Sequence, residues 1–220
     1  MNNRAVFSIA NGLQRPLWRG RIHTWAFWAT IPAVVVLLTI VDQPIARIGA
    51  IVFGASKLTL YGVSASYHRL ARSDNAQRIM RRLDHSMIFV LIAGTYTPVC
   101  LVVVPDPWRF PMLSGIWIVA AIGIGLKTAG HAGFMKWSNV LYIALGWLGV
   151  VALPVMIPNL STIALVFMFA GGLLYTVGAL LFYRQSPDPN PLVFGYHEVW
   201  HGFTVLAGIS HFAMVTAILK

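Results

Sequence analysis

The sequence predicts an all-α integral membrane protein, a seven-transmembrane helical bundle forming a single domain over residues 1–220. Three observations carry that expectation. Hydrophobic residues make up 58% of the 220-residue chain and charged residues only 10%, where a soluble domain carries roughly 25% charged residues. Several apolar runs reach the ~18–20 residues that a helix needs to cross a bilayer. No stretch shows the alternating pattern of ~10-residue membrane strands, which excludes a β-barrel.

The apolar runs and the turn residues between them place the spans at residues 25–41, 45–67, 86–104, 112–127, 138–157, 160–183 and 196–219. Breakers punctuate them: Asp42-Gln43-Pro44, Pro105-Asp106-Pro107, Pro158-Asn159, and Ser186-Pro187-Asp188-Pro189-Asn190-Pro191. The fourth and fifth spans meet at the weakly polar residues 130–133. Within the third span, Gly94, Thr95, Thr97 and Pro98 point to close helix contact and a kink.

A formal charge of +10 invites a nucleic-acid reading. The distribution argues against one, because the basic residues lie between apolar runs, where the positive-inside rule puts them. The expected partner is the lipid bilayer of the cell membrane, with no nucleic acid. Twelve of the sixteen basic residues fall on the side of the N-terminus: Arg4, Arg15, Arg19, Arg21, Arg69, Arg72, Arg78, Arg81, Arg82, Lys127, Lys136 and Arg184. Arg47, Arg109 and Lys220 fall on the other side, and Lys57 lies within a span. The N-terminus, with residues 1–22 as a leading segment, is therefore expected in the cytoplasm and the C-terminus outside. Trp18, Trp25, Trp108 and Trp137 fall near span ends, as an interfacial aromatic belt requires. No cleavable signal peptide is evident, and Cys100, the single cysteine, has no intrachain disulfide partner.

Topology brings the polar residues together. The second span ends in Ser64-Ala65-Ser66-Tyr67-His68, the third is preceded by Arg81-Arg82-Leu83-Asp84-His85, and the seventh opens His197-Glu198-Val199-Trp200-His201. All three segments fall at the cytoplasmic side, so His68, Asp84, His197 and His201 share one depth. His197 and His201 are four residues apart and occupy one helical face. Three neutral imidazoles plus water form a tetrahedral zinc site with one open position. Zinc lowers the pKa of bound water from 15.7 to about 7. Asp84 is placed to take or orient the proton of that water. Ser64, one turn before His68, can hydrogen-bond Asp84 or a developing oxyanion.

Each element also has a plainer reading. A lone interfacial His is usually a hydrated end residue, Asp84 can serve as a first-turn acid, and Ser64 can bond its own helix. Their joint placement favours the shared site. The same His197–His201 block matches H-E-x-x-H, the zinc-metalloprotease motif with Glu as base. An intramembrane protease of that type needs a further Asp ligand in a Leu-Asp-Gly segment, and the only Leu-Asp here, Leu83-Asp84, is followed by His85. Glu198 is read instead as a first-turn carboxylate favoured by the helix dipole. Lys57 shares a face with Ser64 and His68, and either meets an anionic or carbonyl group of a lipid in the bundle interior, pairs with a carbonyl, or snorkels. His211 is read as an interior polar residue, His85 as facing away from Asp84, and His23 and His131 as interfacial.

Ser64-x-x-x-His68, the run from Arg82-Leu83-Asp84-His85 to Ala93-Gly94-Thr95-Tyr96-Thr97-Pro98, and His197-x-x-x-His201 together resemble the bacterial hemolysin III family. That family is grouped with the progestin and adipoQ receptors and, more distantly, with alkaline ceramidases, and the resemblance covers essentially the whole chain. It implies seven helices around a Zn2+ ion held by His68, His197 and His201, with Asp84 acting through bound water and Ser64 as its partner. It implies further a membrane hydrolase of lipid amide or ester bonds, with a lipid substrate. A receptor-like sensor with a structural zinc, or a pore-forming cytolytic protein as the family label suggests, are the alternatives. No amphipathic pore-forming segment supports the last.

Overall fold

Helix starts are set by proline and by short polar caps. The computed structural model describes residues 15–129 and 132–220, with 132–139 described by backbone alone. Arg4 and the rest of residues 1–14, His131, and the side chains of Lys136 and Trp137 lie outside the described residues. The helices are α1 (Arg21–Ile40), α2 (Pro44–Leu70), α3 (Asp74–Val102), α4 (Arg109–Ala129), α5 (Ala132–Val151), a short α6 (Leu153–Met156), α7 (Thr162–Arg184) and α8 (Tyr196–Leu219). Pro44 opens α2 at a position where its missing N–H costs nothing. Ser73 and Ser161 cap α3 and α7 by accepting from the backbone N–H of Ala76 and Ala164, each at 3.2 Å.

Six helices, α1 to α4, α7 and α8, are long and apolar enough to span a membrane. The region of α5 and α6, with the 3-10 turn Ile157–Asn159, bends by 44° and counts as the seventh span when taken as one. Pro154, in the first turn of α6, accounts for the break: it has no N–H for the preceding turn and its ring crowds the carbonyl there. Among the described residues no strand forms, and one isolated bridge, Asn190 with Phe194, closes the loop before α8. The chain is therefore an all-helical membrane protein. α3 begins at Asp74 rather than at residue 86. Its charged first turns, rich in Gln77, Arg78, Arg81 and Arg82, are too polar for hydrocarbon yet good helix formers beside a serine cap.

α8 is the element that closes the bundle, packing against α1, α2, α3 and α7. One core runs through the helices, with Phe53, Phe89, Ile116, Leu145, Met156 and Met214 among its buried side chains. Ile118, Ile122, Phe169, Leu173, Leu206 and Ile209 point outward, as a lipid-facing surface requires. Between helices in lipid, burial from water contributes little and close packing decides association. Small residues provide it: a Cβ on Gly49 would lie 2.8 Å from the Pro98 Cα, and one on Gly94 would overlap the Ser56 side chain. Gly94→Leu is therefore expected to pry α3 from α2, at a cost of at least ~1–3 kcal/mol from overpacking. A lower midpoint of thermal unfolding in detergent checks this; an unchanged midpoint contradicts it.

Candidate metal centre

The last turn of α2 and the first turns of α1 and α8 meet at one end of the bundle. His68 comes from the end of α2, and His197 and His201 from successive turns at the start of α8. One nitrogen from each ring lies within 4.8 Å of the other two. The Nε2 atoms of His68 and His197 are 3.2 Å apart. Ring centroids are separated by 4.8, 5.0 and 4.6 Å for the pairs His68–His197, His68–His201 and His197–His201. His68 and His201 are buried and His197 is half-buried.

These residues can hold a metal ion. Zinc–imidazole bonds of ~2.0–2.1 Å hold nitrogens ~3.3 Å apart in a tetrahedron, close to the observed 3.2 Å between His68 and His197. Three imidazole nitrogens suit a borderline-soft divalent cation and offer nothing to calcium or magnesium, which prefer oxygen.

The surrounding backbone is tied down by charged side chains. Arg15 donates to the carbonyls of His68 at 2.9 Å and Ala71 at 2.8 Å, satisfying free acceptors at the end of α2. Gly20 caps α1 with φ +78°, a left-handed conformation that few residues other than glycine adopt. A Cβ there would come within 2.8 Å of the His68 Cβ, so glycine also permits α1 to start directly on that histidine. Leu17 and Trp18 donate backbone hydrogen bonds to Leu192 and Val193 at 3.0 and 3.1 Å. Residues 15–20 thus form a strap joining α1, α2 and the loop before α8.

Glu198 ties that strap to α8. It is fully buried, with Oε2 accepting from the Gly195 N–H at 2.9 Å and Oε1 accepting from Arg19 Nε at 2.5 Å. This is the glutamate half of a capping box; in place of a side chain, the Gly195 carbonyl accepts from the Glu198 N–H at 3.1 Å. Both carboxylate oxygens are occupied by structural partners, an arrangement that suits a helix cap better than a proteolytic base.

Ser64 lies one turn before His68 on α2, and Asp84, on α3, is not among the converging donors. Ser64 and Asp84 approach each other where α3 packs on α2, one turn before His68. Lys57 is buried, and of its sequence readings the carbonyl pairing is found: Nζ donates to the Gly208 carbonyl at 2.5 Å. The rings of Phe53, Tyr61 and Phe212 surround it at 5.5–5.7 Å. His211 packs on Tyr175, ring centroids 5.5 Å apart, away from the three histidines. A groove of about 470 Å3 between α1 and α8, lined by Pro32, Val36, Leu37, Phe212 and Thr216 among others, holds none of these histidines.

His23, read from the sequence as interfacial, lies in the first turn of α1, where it is only 3% exposed and stacks on His201 with centroids 3.9 Å apart and planes at 15°, a contact that reading did not include. α1 begins at Arg21, before the apolar run, and carries His23 inward against α8. Its polarity at the mouth of a span is the signal that could have flagged it.

A family model described as Haemolysin-III related matches residues 11–212. Hemolysin-3 of Bacillus cereus is 35% identical over 182 residues, covering 81% of this chain and 80% of that protein. A hemolysin-3 homolog of Bacillus subtilis (strain 168) is 36% identical over 157 residues, covering 71% of this chain and 70% of its own length. With the helical membrane architecture, these matches make the chain a multi-pass integral protein of the plasma membrane that belongs to the haemolysin-III related family.

Proposed function

We propose that the chain is a zinc-dependent membrane hydrolase that cleaves a lipid amide or ester bond near the cytoplasmic leaflet. One observation carries the reading: nitrogens of His68, His197 and His201 converge within 4.8 Å, with Ser64 one turn before His68 on the same helix. A zinc ion held by His68, His197 and His201 would acidify a water molecule and polarise a carbonyl. Asp84 serves as the proton carrier, accepting a proton from the attacking water and returning it to the leaving amine or alcohol as the acyl carbon–heteroatom bond breaks. Ser64 donates to Asp84 and fixes the direction in which the carboxylate points. The acyl tail stays in the bilayer, and the clustering of basic residues at this end supports its cytoplasmic placement.

A second reading has zinc clamping helices in a receptor-like sensor. The His68–His197 approach, linking residues 129 positions apart, favours it. Asp84→Asn separates the two. On the hydrolase reading the variant keeps its zinc and loses at least ~100-fold in hydrolysis of a long-chain fluorescent N-acyl amine, the scale of a lost acid–base group. Wild-type protein that carries zinc but turns over neither amides nor esters leaves only the clamp.

A further inference from the structure

Among the described residues, three buried side-chain polar atoms have no hydrogen-bond partner: Nδ1 and Nε2 of His23, and Nδ1 of His201. They sit on two rings stacked 3.9 Å apart at one flank of the three-histidine cluster. A neutral imidazole carries one donor and one acceptor. Leaving both unmet in a water-poor interior is unfavourable, and native structures rarely tolerate it without a functional reason. The elements packed on His23 do not meet the need. α8 presents the face of His201, and α2 presents the ring of Tyr61 at 5.2 Å and 52°.

Position adds direction to the argument. His201 lies one turn further into α8 than His197, and Tyr61 lies two turns further into α2 than His68. His23 contacts both His201 and Tyr61, so it flanks the centre on the side of the bilayer interior. A lipid whose carbonyl reaches the three histidines, with its tail in hydrocarbon, passes this ring.

We infer that His23 is a substrate-binding residue of the centre, its ring nitrogen meeting a polar atom that flanks the scissile carbonyl of the lipid. The inference rests on the hydrolase reading. It adds to the three converging histidines a fourth imidazole that binds substrate rather than metal. Its stacking on His201 explains why an aromatic ring, and not any polar residue, occupies the position.

The test uses the full-length protein in detergent with palmitohydroxamic acid, a long-chain acyl probe carrying a carbonyl and a flanking N–OH. Zinc content is measured first in the wild type, then zinc content, thermal midpoint and probe affinity in His23→Phe and His23→Gln. His23→Phe keeps a ring against His201 and removes both nitrogens. Expected is unchanged zinc, an equal or higher thermal midpoint, and a Kd for the probe raised about tenfold, the scale of one lost hydrogen bond. His23→Gln, which retains a donor and an acceptor, is expected to keep part of the affinity. Equal probe affinity in wild type and His23→Phe overturns the inference while leaving the zinc hydrolase intact. Loss of zinc from His23→Phe also overturns it, by making the residue a metal-holding one. A wild type without zinc removes the hydrolase reading and this inference together.

Discussion

Replacing His197 and His201 together by alanine is expected to lower bound zinc from about one ion per chain to roughly a tenth of that or less. Elemental analysis of the purified protein reads this directly. The expectation follows from ligand count: the double variant leaves His68 alone, and one imidazole does not retain a divalent cation through purification. His211→Ala, on the same helix but packed on Tyr175, is the control and should keep its metal. A second readout follows from linkage, since an ion that binds only the folded state stabilises it by about 2.7 kcal/mol at a hundredfold excess over Kd. Chelator should therefore lower the thermal midpoint of the wild type and leave that of the double variant unmoved. Equal zinc in the two proteins would remove the centre, whatever the rings' proximity.

The location of the centre at helix ends has a physical logic. Chain termini of helices expose unpaired carbonyls and N–H groups, and in a membrane protein these must be met locally. Arg15 meets carbonyls at and just beyond the end of α2, and Glu198 meets the backbone N–H that precedes α8. Because those duties fall to Arg15 and Glu198, His68, His197 and His201 are left to face one another. The strap of residues 15–20 supplies Arg15, Arg19 and Gly20 together, so one short segment positions the ends of two helices.

Much of this was readable from the sequence, for reasons that differ by element. α8 spans Tyr196–Leu219, the same limits the apolar run and the proline-rich link before it predict. Short connections force successive spans to alternate direction, and that alone carries His68 and His197 to the same end. The start of α3 was not readable, because hydropathy reports what hydrocarbon accepts and not where a capped, charged helix begins. The bend at Pro154 was likewise hidden inside an apolar run. His23 and the Arg19–Glu198 pair escaped for a deeper reason. Both depend on the first described segment meeting the last helix, and Arg19 and Glu198 are 179 positions apart. No local periodicity encodes such a contact. Lys57 was half legible: its cost in a membrane demanded a partner, but the carbonyl of Gly208 could be identified only from the packed bundle.

Glu198→Ala is expected to cost about 3–5 kcal/mol of stability, the range for breaking a buried ion pair by removing one partner. The lower end is the better expectation, since Arg19 is 21% exposed while Glu198 is fully buried. Two losses combine: the Gly195 N–H loses its cap acceptor, worth ~1 kcal/mol, and Arg19 keeps its charge without a counter-charge. Glu198→Gln retains an acceptor for Gly195 and should fall between alanine and wild type. Replacing both partners, as Arg19→Met with Glu198→Leu, should recover part of the loss, because no unpaired charge remains. Thermal or denaturant unfolding in detergent measures all four proteins. The same variants decide the meaning of the H-E-x-x-H pattern, since a glutamate acting as proteolytic base would lose nearly all turnover on conversion to glutamine. With both oxygens engaged by Arg19 and Gly195, Glu198→Gln should instead keep its zinc and lose no more than about threefold in turnover, in contrast to Asp84→Asn. If Glu198→Gln is stable, zinc-loaded and inactive, Glu198 is the base and the role assigned to Asp84 falls.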